Sequence, residues 1–334
     1  MRAPIEAVLP FWLDRPDEEA LLIADAAADA GLTGLWIGEM ASFDAFALAT
    51  AVGTRVPGLR LKVGPLPISV RNPVAVALGA SSVATLTGCQ IDIALGASSP
   101  VIVTGWHDRE WFHSAARMRE TIQCLRQILR GERADYDGRY VRSHGFRLRH
   151  PLPDTGIGVG VFGPTMTRLA AELSDEVVLN LASPQRVAQV RQQVEHHAAA
   201  AGRMPPHLTV WVPVAVRPGE AALRQLANQL AIYLAPPGYG EMFCELGFAE
   251  LVERARSGAR RSELAAEIPL ELAEPLGAIG SPEQVAARLA AYRQAGADTV
   301  AVFPVTAEDP AGRAALRCAA DSFRITAAAQ ETAT

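Results

Sequence analysis

Lysine is almost absent from this chain: Lys62 is the single one among 31 basic residues, so positive charge rests on arginine. With the abundance of alanine, this reads as the coding bias of a GC-rich genome rather than a functional device. Against 36 acidic residues the formal charge is −5, and no basic run is interleaved with aromatics, which argues against nucleic acid as a partner. Four cysteines, Cys89, Cys124, Cys244 and Cys318, stand far apart with no CxxC pair, the pattern of unpaired thiols in a reducing compartment. No His, Cys and carboxylate cluster has ligand spacing, so no metal is expected. Long apolar runs are missing too; none approaches the ~20 residues that cross a bilayer. Met1-Arg2-Ala3-Pro4 leads straight into Ile5-Glu6-Ala7-Val8-Leu9 without the pattern of an export signal. The expectation is a cytoplasmic protein with no membrane partner.

What the chain does have is a 49% apolar content, enough for a large core. Apolar runs of strand length recur near 5–10, 33–38, 59–66 and 89–95, on both sides of the 162–173 segment, at 208–216 and at 299–304. Helical periods alternate with them. A helix near 17–30 follows the first run, and another at 72–87 opens on Asn72-Pro73, a cap residue with proline at the first helical position. Ser281-Pro282-Glu283-Gln284 carries a capping-box pattern. Asp44 begins the helix after the second strand, as a cap or a first-turn residue.

Eight strands alternating with helices predict a parallel sheet covered on both faces, closed as a (β/α)8 TIM barrel in one domain spanning 1–334. Insertions are expected after the fourth strand, over 97–113 and 132–150, and after the seventh, over 232–276. Such excursions serve as lids, binding loops or oligomer contacts.

In a barrel the site lies at the carboxyl ends of the strands, which selects the residues to weigh. Glu39 ends the second strand, as a rim carboxylate or a ligand contact. Gly64-Pro65-Leu66-Pro67 ends the third, either a rigid exit or something more specialised. Gly96-Ala97-Ser98-Ser99 ends the fourth, where the serines hold ligand oxygens or form a hydroxyl-bonded turn. His107 follows, a proton donor or a solvated loop residue, beside Trp106, which covers an apolar substrate or packs locally. The fifth strand runs into Phe162-Gly163-Pro164-Thr165-Met166, where glycine permits close approach and the first amides of a helix favour an anion such as phosphate.

The chain resembles the luciferase-like flavin- and deazaflavin-dependent oxidoreductases. The resemblance rests on Gly31 to Glu39, on Arg71-Asn72-Pro73, on Leu86-Thr87-Gly88 before Leu95-Gly96-Ala97, on Phe162-Gly163-Pro164 with Leu169-Ala170-Ala171-Glu172, and on Gly280 to Ala286 before Gly296-Ala297-Asp298. Their order and spacing are most similar to the actinobacterial coenzyme F420 branch. The resemblance implies a deazaflavin phosphate against Phe162, Gly163, Pro164, Thr165 and Met166, and Gly96, Ala97 and Ser98 flanking the ring or its ribityl chain. It also implies a bulge, often with a cis peptide, behind the ring at Gly64, Pro65 and Leu66. The family's sugar-phosphate dehydrogenases carry a His and a Glu where this chain has Met40 and Ser99, so glucose 6-phosphate is not the expected substrate.

The expected activity is hydride transfer between coenzyme F420 and an electrophilic C=C, C=N or C=O carbon of a small molecule or natural product, by a homodimer with His107 as proton donor. An FMN-dependent monooxygenase is the alternative. A non-catalytic deazaflavin-binding protein is a third reading, and a Schiff-base aldolase built on Lys62 a fourth.

Overall fold

The structure is a computed structural model that describes residues 5–10, 14–39 and 41–331, with side chains up to Phe323. Its strands are β1 (Ile5–Val8), β2 (Gly34–Ile37), β3 (Arg60–Pro67), β4 (Ile91–Gly96), β5 (Asp135–Asp137), β6 (Arg142–His144), β7 (Ile157–Gly160), β8 (Glu176–Asn180), β9 (His207–Val216), β10 (Ala278–Gly280) and β11 (Thr299–Pro304). Nine form one sheet in the order β10-β9-β11-β1-β2-β3-β4-β7-β8, and a β9–β8 pairing closes it. The expected (β/α)8 barrel is the observed fold, with β1, β2, β3, β4, β7, β8, β9 and β11 as its staves. The strands are buried almost without interruption, as a sheet covered on both faces requires. Two pieces were not legible as strands. β10 is three residues long, added beside Val214–Val216 of β9, and the antiparallel β5–β6 hairpin occupies the 132–150 excursion.

The chain divides into two compact units, Gly34–Val178 with Gln192–Leu208, and Met1–Thr33 with Leu179–Arg191 and Thr209–Thr334. In the first, the Asp44 carboxylate accepts from the amides of Phe46 and Ala47 and so caps the helix Ala45–Arg55. Asn72 caps Pro73–Thr87 through the Ala75 amide, and Gly88 ends that helix in the left-handed region. Lys62 and Glu176 form a buried ion pair at 2.8 Å, with the ammonium 4.8 Å from the Trp36 ring centroid. Its amine is engaged by a carboxylate within the strand layer, an arrangement that lends the Schiff-base aldolase reading no support. The hairpin is pinned from below, where the Glu120 carboxylate accepts from the amides of Arg139, Tyr140 and Val141.

In the second unit, Ser281 and Gln284 complete the capping box of Pro282–Gln294. The 232–276 excursion folds into short helices, Tyr239–Glu245, Ala249–Arg256, Arg261–Glu267 and Leu270–Ala273. They bury Phe243, Leu264 and Leu272 with Leu230 of the helix Glu220–Tyr233 and Leu234, which caps its end. Each such side chain contributes about 1.5–3 kcal/mol on burial, enough to hold an insertion that has no sheet of its own. No helix among the described residues is long and apolar enough to cross a membrane.

Candidate active site

The site is assembled on β2, β3, β4 and β7, all within the first unit. Its floor is a break in β3. The register against β4 shifts between Val63 and Leu66, and the Gly64–Pro65 peptide at the shift is cis. Gly64 has φ +128°, and a Cβ there would stand 2.2 Å from the Ala94 carbonyl oxygen, so no other residue fits. The Pro65 ring packs over two further glycines: a Cβ on Gly96 would lie 3.0 Å from it, and one on Gly160 3.3 Å. Leu66 is fully buried beneath the bulge, so what it can offer a ligand is backbone. The exits of β3, β4 and β7 therefore converge on one proline.

Beyond β4, Ser98 takes the left-handed conformation at φ 61°. The Trp111 indole N–H reaches back to the carbonyls of Ala97 at 3.0 Å and Ser98 at 3.1 Å, tying the excursion to the strand end. The excursion contains a π-helical turn, Val101–Trp106, with Ser99 Oγ 3.5 Å from the Ile102 amide at its head. His107 follows that turn, exposed, and its ring has no hydrogen-bond partner among the described residues. Trp106 and Val101 are exposed beside it. Met40 lies outside the described residues.

At the end of β2 the Glu39 carboxylate is held on both oxygens. Arg71 donates to Oε2 through Nε at 2.8 Å and to Oε1 through Nη2, and the Ala45 amide reaches Oε1 at 3.3 Å. Arg71 also pairs with Asp44 and lies 5.5 Å from the Phe46 ring centroid. Hydrogen bonding to Glu39 foremost, with Asp44 adding to it, raises the Arg71 pKa still further. Burial works against ionisation of Asp44, but the Ala47 amide and Arg71 outweigh it and hold the carboxyl below its usual range.

At the end of β7, Gly163 precedes the helix Pro164–Leu173 with extended backbone and no side-chain cap. The amides of Thr165 and Met166 belong to the turn that a helix cannot satisfy from within, and the helix dipole makes it attractive to anions. A Cβ on Gly163 would meet no atom within 4 Å, so the space in front of these amides is open. Phe162 and Met166 flank it half-buried, and Thr165 is exposed.

Sequence reasoning selected the strand exits and the Gly163 turn. It missed Arg71 as the partner of Glu39, although Arg71-Asn72-Pro73 stood out as a motif, and it missed Trp111 and the contact between Gly160 and Pro65. A charge adjacent to a helix cap, thirty-odd residues from a lone rim carboxylate, was the available signal for the first. The cradle suits a phosphate-bearing planar ring: open helix amides for the anion, and a glycine-lined bulge for the ring.

A sequence profile of luciferase-like monooxygenases matches residues 14–299. A Mycobacterium tuberculosis protein, provisionally named a coenzyme F420-dependent oxidoreductase, is 26% identical over 92% of this chain and 97% of its own length. An F420-dependent glucose-6-phosphate dehydrogenase of Mycobacterium avium is 32% identical over 39% of this chain and 41% of its own length. The solved structure of an F420-dependent secondary alcohol dehydrogenase with an F420-acetone adduct superposes with a TM-score of 0.80 at 17% identity. It covers 97% of this chain and all of that one, and supports the fold.

Proposed function

The chain belongs to the luciferase-like monooxygenase family, and from that premise we propose that it is a coenzyme F420-dependent oxidoreductase. It would move a hydride between the deazaflavin and an electrophilic C=C, C=N or C=O carbon of a small molecule or natural product. The observation that carries this reading is the uncapped, open helix start at Gly163–Met166 in the same unit as the Gly64–Pro65 bulge. The similarity of the M. tuberculosis protein over nearly the whole chain supports the choice of F420 over FMN.

In this reading the backbone of Phe162, Gly163, Thr165 and Met166 holds the phosphate, with Pro164 fixing the turn. Gly64, Pro65 and Leu66 back the ring, while Gly96, Ala97 and Ser98 border it. Glu39, immobilised by Arg71, closes the β2 side. When bound, the deazaflavin supplies two-electron hydride chemistry. The chain must orient the acceptor and provide one proton, and His107 is the residue we nominate for that proton. Ser99 sits at the head of the π-helical turn where the sugar-phosphate enzymes carry an acid/base, so glucose 6-phosphate is not the substrate we infer.

A fluorescence titration of the cofactor-free chain tests the reading. F420 should bind more tightly than FMN, and comparable or tighter FMN binding would overturn it in favour of the monooxygenase. Tight F420 binding without turnover on any acceptor would favour a carrier. We further propose a cytoplasmic homodimer. Light scattering at the mass of one 35.5 kDa chain would refute the dimer.

A further inference from the structure

The helix Pro164–Leu173 carries a positive charge that its surroundings leave over. Within the first unit it runs alongside the helix Ser114–Leu129, and two arginines of that helix tie the pair together. Arg119 donates to Glu172 Oε2 at 2.7 Å, while Arg126 donates to the Leu173 carbonyl at 2.7 Å and to the Asp175 carboxylate at 3.0 Å. These ties fix which face of Pro164–Leu173 is turned toward its neighbour. Glu172 lies on that face, and Arg168 and Thr165 precede it at the spacing of one helical stripe.

Glu172 is the one carboxylate of the helix, and Arg119 and Arg168 both face it. Arg119 takes Oε2 in a hydrogen bond; the Nε of Arg168 stands 3.8 Å from Oε1, beyond hydrogen-bonding distance. Two cations against one carboxylate leave one positive charge in excess. None of the N–H donors of the Arg168 guanidinium makes a hydrogen bond among the described residues, and its side chain is 59% exposed. An exposed arginine with a borrowed partner is free to take a better one.

Its place in the fold says what that partner is. Thr165, one turn above Arg168 on the stripe, contributes an amide to the open anion site that follows Gly163. Long side chains in a helix favour directions that lean toward its N-terminus, so a turn away from Glu172 leads the guanidinium toward that site. The helix amides answer the phosphate itself. A ligand whose acidic groups continue past the phosphate meets Arg168 next. FMN ends at its phosphate, whereas coenzyme F420 continues through a phosphodiester into a chain of glutamyl carboxylates.

We propose that Arg168 receives a carboxylate of this acidic tail and helps to set a preference for F420 over FMN. This rests on the reading of the chain as an F420-dependent oxidoreductase. It adds a side chain to an anion site otherwise built from backbone.

Fluorescence titrations of the cofactor-free chain should compare F420 with the same deazaflavin phosphodiester stripped of its glutamyl residues. At low salt the wild type should bind the glutamyl form about two- to fivefold more tightly, the size of an exposed ion pair, and the margin should shrink as salt is added. Arg168→Gln should remove the margin while leaving the melting temperature and the affinity for the stripped form unchanged, and Arg168→Lys should restore part of it. Equal wild-type affinity for the two forms, or a margin that survives in Arg168→Gln, would overturn the proposal. A variant that weakens both forms equally would move Arg168 to the phosphate and overturn its part in reading the tail. Should Arg168→Gln fail to fold, the salt dependence of the wild-type margin decides, and a margin indifferent to salt sinks the idea. Failure of the wild type to bind either form would overturn the cofactor reading itself.

Discussion

Lys62 donates to Glu176 at 2.8 Å across the strand layer, both side chains almost wholly withdrawn from water. Removing one partner would strand the other charge in a medium that cannot solvate it. Lys62→Met should therefore cost about 3–5 kcal/mol of stability, and the double variant with Glu176→Leu should recover much of that. Urea unfolding of the two proteins checks it. A single variant as stable as the parent would mean that water or another group takes over.

Gly163→Val is expected to weaken F420 binding while leaving the fold intact. The backbone at 163 is extended, which valine accepts, and the added atoms enter open space. That space is the one assigned to the phosphate. An unchanged dissociation constant with an unchanged melting temperature would place the phosphate elsewhere.

Gly64→Ala should act first on the fold. At φ +128° and 2.2 Å from the Ala94 carbonyl, the new methyl cannot be accommodated without moving β3 or β4. A loss of about 2–4 kcal/mol is expected by chemical denaturation, with cofactor binding impaired in whatever remains folded.

His107→Ala should lower turnover by ~10²–10⁴-fold if this residue gives the proton, the usual share of a general acid. F420 affinity should barely move. Turnover within a few-fold of the parent would assign the proton to water or to the substrate.

Stability should fall on the alkaline side. Burial raises the Tyr292 phenol in the folded chain, so the unfolded chain ionises first. The contribution of Tyr292 is complete below the ordinary tyrosine value of about 10 and is lost as pH rises from there toward the folded value. Unfolding free energies measured either side of that value should diverge less in Tyr292→Phe. Tyr233 and Tyr239, also raised by burial, and Cys124, pushed up to about 11, add to the alkaline loss, so the difference between the parent and Tyr292→Phe isolates one share of it.

The sequence disclosed most of the scaffold because its signals are local. Asn72 and Ser281 announce helix starts within three residues of themselves, and the strands are long enough to be read as apolar runs. Asp44 was legible as a helix start for the same reason. What escaped depends on neighbours distant in the chain. Glu39 meets Arg71 across a separation of 32 residues, and Gly160 touches Pro65 only because β3, β4 and β7 lie side by side. β10 escaped because three residues carry no periodicity.

The Trp111 indole, bonded to the carbonyls of Ala97 and Ser98, turns the intervening segment into a closed handle. Because its two ends are already joined, lengthening or shortening it changes closure entropy only logarithmically and does not pull on β4. The π-helical turn, Trp106 and His107 all ride on that handle. Descendants of this chain can thus exchange the handle and drift toward new acceptors while the glycine and proline floor below stays as it is.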